Sequence, residues 1–81
     1  MEAPYKVKSF YQVKTYIGLD TEETNATYSF ISYNKAKEWF ETETKRANNK
    51  YLVELLSVIE VQETKDKSEA KSEYLVLGDN L

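Results

Sequence analysis

Two short stretches of the chain hold residue types that can do chemistry at a usable spacing. The first is Tyr5–Tyr16, which interleaves aromatics with lysines and contains no acid. In an extended chain Lys6, Lys8 and Lys14 share one face with Phe10 and Tyr16. Single-stranded nucleic acids bind such faces by stacking bases on rings while cations track phosphates. Glu54 and Glu60, on the same side of a later strand, oppose phosphate, and no RRM-type aromatic motif is present. Nucleic acid is therefore the disfavoured alternative, and lysines on an outer strand face read first as solubility residues. The second stretch is the acidic run Asp20-Thr21-Glu22-Glu23. An EF-hand needs more oxygen ligands at fixed offsets and a glycine. Asp20, Glu22 and Glu23 read instead as a solvated turn, able to act as a negative contact patch for a basic partner.

The rest of the chemistry is narrowed by what the chain lacks. It has no His and no Cys. That removes the usual zinc sites, nucleophiles paired with His, and histidine acid–base catalysis. The only glycines are Gly18 and Gly78, so no glycine-rich phosphate loop exists. Asp, Glu, Lys and Tyr remain, but they form no visible catalytic constellation. The expectation is a protein that is not an enzyme and takes no cofactor or metal.

The elements that must position these residues follow from periodicity. Tyr5 to Ile17 alternates at period two and is rich in β-branched and aromatic residues, which predicts a long strand ended by Gly18. Leu19–Asn25 is a polar, acidic hairpin loop, and Ala26–Ser32 is a second, shorter strand. Ser32 or Asn34 can cap a helix whose stripe is Ala36, Trp39, Phe40, Glu43 and Ala47. Asn48-Asn49 can end it, because Asn tolerates the left-handed conformation. Tyr51–Glu63 is a long third strand. Residues 64–72, TKDKSEAKS, read as a mobile charged loop. Tyr74–Leu77 is a short last strand.

The order is ββαββ. The long first and third strands should be central and the short ones at the edges, which limits edge-to-edge pairing. The expected fold is α+β: a four-stranded antiparallel sheet in order 2-1-3-4, with one helix packed on one face and the helix crossing over as a right-handed connection.

Length and charge fit that picture. Eighty-one residues make one domain, 1–81, and 41% hydrophobic with 31% charged suits a small globular protein. The net charge of −3 counts against a general nucleic-acid binder. The N-terminal MEAPYKVK is no signal peptide and nothing approaches a membrane span, so the expected location is the cytoplasm with no membrane partner.

One helix covers one sheet face. The covered side takes Tyr5, Val7, Tyr11, Val13 and Ile17 with Tyr51, Val53, Leu55, Ile59 and Val61. The far side then shows Lys6, Lys8, Phe10, Lys14 and Tyr16 beside Leu52, Leu56 and Val58. A solvated antiparallel face would be mostly polar. These eight residues are accordingly the candidate interface, for a homo-oligomer or another macromolecule. The alternative is a bulge near Ser9-Phe10 or Leu55-Leu56 that turns them into core.

The segment FISYNKAKEWFETE, Phe30–Glu43, followed by YLVELLSVIEV, resembles a pattern recurring in small phage and mobile-element accessory proteins. The resemblance spans about residues 26–61. It implies a protein that binds and inhibits a host factor, including anti-phage defence systems, in the host-cell cytoplasm. The expected function is thus a non-enzymatic binding protein that inhibits or sequesters a host protein or complex, assembled as a homo-oligomer. A single-stranded nucleic-acid module and a nucleotide sponge with an inter-subunit pocket are the alternatives.

Overall fold

In a computed structural model, residues 5–63 and 71–81 are described. The chain runs β1 (Tyr5–Tyr16), β2 (Thr24–Phe30), α1 (Tyr33–Ala47), β3 (Val53–Glu63) and β4 (Lys71–Asp79). The sheet order is β2-β1-β3-β4 and every neighbouring pair is antiparallel. This is the α+β sheet with one helix that the sequence pattern implies.

The helix forms where the local signals agree. Ser32 is extended (φ −90°, ψ 128°) and its Oγ accepts from the Lys35 N–H. That satisfies one of the donors left over in the first turn. Lys45 and Arg46 in the last turn complement the carbonyl end of the helix. Asn48 (φ 47°) and Asn49 (φ 61°) then turn the chain through the left-handed region. Ala36 and Ala47 are small enough to bring the helix close to Val13, Val53 and Leu55, and all five are buried. Tyr11, Phe30, Trp39, Phe40 and Tyr51 pack around them.

The strands are not equally long, and this shapes the molecule. β1 pairs with β3 from Tyr5 to Thr15, but with β2 only from Tyr11 onward. The helix runs between the end of β2 and the start of β3 and touches β1, β2 and β3 but not β4. It therefore covers only the half of the sheet where β2 is present. The β1–β3–β4 ribbon projects past it, giving a radius of gyration of 14.9 Å. A compact chain of this length would measure roughly 12 Å.

That projection corrects the expected covered face. Val13, Val53 and Leu55 are core, but Val7 and Ile59 lie beyond the helix and are exposed. Ile17 is exposed because β1 ends at Tyr16. The last strand also departs from expectation. It has nine residues, because Lys71 and Ser72 pair with Val61 and Glu60 and do not join a loop. Residues 64–70 of the expected mobile loop lie outside the described residues. A register irregularity does fall at Leu55/Leu56, but only in the pairing with β4, where Leu77 is the extra residue. The β1–β3 register is continuous through it, so Leu55 and Leu56 keep opposite faces.

Candidate functional site

The far face of the sheet carries the residues expected to form the interface. Leu52, Leu56, Val58 and Tyr16 are buried within the single chain, at 1–6% exposure, and Phe10 and Lys14 are half-buried. The expectation of an open apolar face is corrected at these residues. The cover comes from long side chains laid across the sheet. Val58 lies in register between Phe10 and Tyr74. Lys14 on β1 places its ammonium 5.0 Å from the centre of the Tyr74 ring on β4. To do so its aliphatic stem must cross β3 at the level of Leu56, which lies between Glu54 and Val58. The Tyr16 hydroxyl donates to a carboxylate oxygen of Glu54, itself only 9% exposed. Burial, then the bond to Glu54, pushes the Tyr16 phenol up to about 12.

Of the groups named for a nucleic acid, Tyr16 is buried on Glu54 and Lys14 is held on Tyr74, while the Phe10 ring is half-buried. Lys8 remains exposed with Glu60 opposite it. Lys6 stands opposite Gln62 in the β1–β3 ladder, and its side chain lies outside the description.

The acidic turn is well built and open. Gly18 takes φ 90°, a conformation glycine adopts without strain, and its carbonyl accepts from Leu52 N–H at 2.8 Å. Ile17 N–H reaches the Glu23 carbonyl at 2.8 Å, and Glu22 N–H reaches Asp20 Oδ1 at 3.1 Å. Asp20, Glu22 and Glu23 are all exposed at the end of β2. No group of three or more possible metal ligands exists among the described residues.

Periodicity alone did not reveal the concave surface around Trp39. The indole lies 5.2 Å from the Tyr28 ring and 6.4 Å from the Phe30 ring, centre to centre. On its helix side a cleft of about 340 Å³ is lined by Phe30, Lys35, Glu38, Trp39 and Thr42. On its strand side a second, of about 420 Å³, is lined by Thr27, Tyr28, Ser29, Phe30 and Trp39. The two share Phe30 and Trp39, so both open on the same pair of rings beside β2. β2 is the terminal strand of the sheet, and its outer backbone edge is free among the described residues. Trp39 Nε1 is buried and has no acceptor among the described residues.

No family model matches the chain, and no curated protein or solved structure matches it at a significant level.

Ile31, Ile17 and Leu19 are exposed beside β2, and a longer exposed apolar run lies at the opposite edge. Tyr74, Leu75, Val76 and Leu77 are consecutive in β4 and all exposed, Leu75 at 64%. A cleft of about 300 Å³ beside them is lined by Ser57, Ile59, Glu73, Tyr74 and Leu75. The surplus apolar surface expected from the sequence exists, but on β4 and the projecting ribbon instead of the centre of the far face. The sequence signal was the unbroken run YLVL, which lacks the polar alternation of a half-buried strand.

Proposed function

We propose that this chain is a non-enzymatic binding protein that captures a protein partner and thereby inhibits or sequesters it. The observation that carries the reading is the aromatic groove between α1 and the free edge of β2. An extended segment can add to such an edge through main-chain hydrogen bonds while one side chain enters the flanking pocket. Here the pocket offers the Trp39 and Phe30 rings, with Lys35 and Glu38 at its rim. Its size falls at the lower end of ligand sites. At one end of β2 stand Asp20, Glu22 and Glu23, which favour a basic residue on the incoming segment. The resemblance of residues 26–61 to phage and mobile-element accessory proteins supports a host factor as the partner, a component of anti-phage defence among them. The host-cell cytoplasm is then the place of action.

The test uses the immobilised protein against host lysate, with Thr42→Arg alongside. Thr42 is exposed on the helix and lines the groove, so the variant fills the pocket without touching the core. A partner retained by the wild type and lost by Thr42→Arg, with unchanged melting, supports the reading. Equal retention by both overturns it. Stabilisation by nucleotides in a thermal-shift screen would move the assignment to a small-molecule sponge.

A further inference from the structure

We infer that β4 is a self-association edge, and that its occupant is β4 of a second copy of this chain, paired antiparallel. Terminal strands are normally kept from pairing by shortness, proline, a bulge or a charge in mid-strand. β4 has nine residues, no proline and no charge between Glu73 and Asp79. Its one irregularity, at Leu77, leaves Lys71–Val76 in regular register with β3. Tyr74 and Val76 are exposed on one face of the sheet and Leu75, at 64%, on the other, so this edge is apolar on both sides.

The strand is complementary to itself. A two-fold axis perpendicular to the sheet at Leu75 sets Tyr74 opposite Val76 of the other copy, twice, and Leu75 opposite its own equivalent. Aromatic–β-branched pairs of this kind stabilise antiparallel strands. The same axis brings the Lys71 end of each copy alongside the Asp79 end of the other. A parallel arrangement would instead place like charges together. The cleft formed by Ser57, Ile59, Glu73, Tyr74 and Leu75 lies on the side where the second copy's side chains arrive. α1 does not touch β4, so the helices do not obstruct the approach.

The product is a continuous eight-stranded sheet with β2 and its groove at each outer end. This inference stands apart from the proposed function, because it uses the edge that the groove does not. A single strand pair is a small interface for specific association, so the dimer is reversible.

Sedimentation velocity of the full chain from micromolar to millimolar concentration tests it. The expected result is a mass rising from monomer to dimer and no further. Leu75→Lys sets two ammonium groups against each other at the axis and should weaken association at least roughly tenfold. Leu75 is exposed, so circular dichroism of that variant should match the wild type. A second variant, Leu75→Cys, introduces the only thiol in the chain and should oxidise to a covalent dimer. A wild type that stays monomeric throughout overturns the inference, as does a dimer indifferent to Leu75→Lys. Partner capture in the Thr42→Arg experiment is read separately, so either reading can fail alone.

Discussion

Tyr16 and Glu54 stand on neighbouring strands of a face that no helix covers, yet both are buried. Their hydrogen bond has a consequence at high pH. The phenol lies at about 12, above its ordinary 10.0, mainly because burial disfavours the phenolate and also because Glu54 accepts its proton. The folded chain thus holds this proton more tightly than the unfolded chain. The stability that results is fully present below pH 10 and is lost as pH rises toward 12. Alkaline denaturation of the wild type should show this loss, and Tyr16→Phe should remove it. At neutral pH the same substitution leaves a buried carboxylate without its donor and should cost about 1–3 kcal/mol in urea unfolding. Lys14 contributes through its stem as well as its charge. Lys14→Ala uncovers Leu56 and should cost about 1 kcal/mol, whereas Lys14→Met, which keeps the stem, should recover part of it.

At the scale of elements, the helix is fixed by its two ends and by one indole. Asn48 adopts φ 47° at the helix C-terminus, where a β-branched side chain is strained. Asn48→Val should therefore destabilise the domain by about 1–2 kcal/mol. Trp39 is the wedge between α1 and β2, held by Tyr28 and Phe30. Trp39→Ala should cost about 3–5 kcal/mol, a large share of the stability of so small a domain, and calorimetry should show the melting transition broadened or lost. β4 is clamped at its end by one residue. The Asn80 side chain accepts from Val53 N–H and donates to the Tyr51 carbonyl, each at 2.9 Å. Asn80→Ala removes both bonds. Hydrogen exchange should then become faster at the C-terminal end of β4 and at Val53, with a loss of about 1–2 kcal/mol.

At the scale of the whole molecule, unequal strand lengths divide the sheet into two regions. Under the helix lies a single core of rings, alanines and aliphatics. Beyond it, the ribbon of β1, β3 and β4 carries Val7, Ile59 and Leu75 uncovered. The two edges, each free among the described residues, differ in kind. β2 faces an aromatic groove flanked by an acidic turn, while β4 presents a bare apolar run that matches itself. If each edge takes its own occupant, the dimer carries two identical grooves far apart. Such an arrangement should bind a partner displaying repeated segments with an avidity above that of a single groove. Comparing wild type with Leu75→Lys on a surface dense in partner, by the dissociation rate, checks this: the monomeric variant should leave faster.

The sequence by itself determined the element order, the antiparallel layout, the helix stripe and its caps. Each of these depends on residues near one another in the chain: alternation from Tyr5 to Tyr16, the i, i+3, i+4 spacing of Ala36, Trp39 and Phe40, the polar loop at Leu19–Asn25. It also showed that the apolar content exceeds what one helix can cover. Only the tertiary structure decided where the excess emerges. Alternation tells which side of a strand a residue occupies but not what lies above it. Val7 and Val13 share a side, and one is exposed while the other is buried, because β2 and the helix stop between them. Leu56 occupies the uncovered side and is buried, because a lysine two strand positions away reaches across it to Tyr74. The groove at Trp39 was equally invisible, since it joins a helix and a strand edge whose separation is set by packing. Burial and concavity are properties of the assembled layers, and no local period in the sequence encodes them.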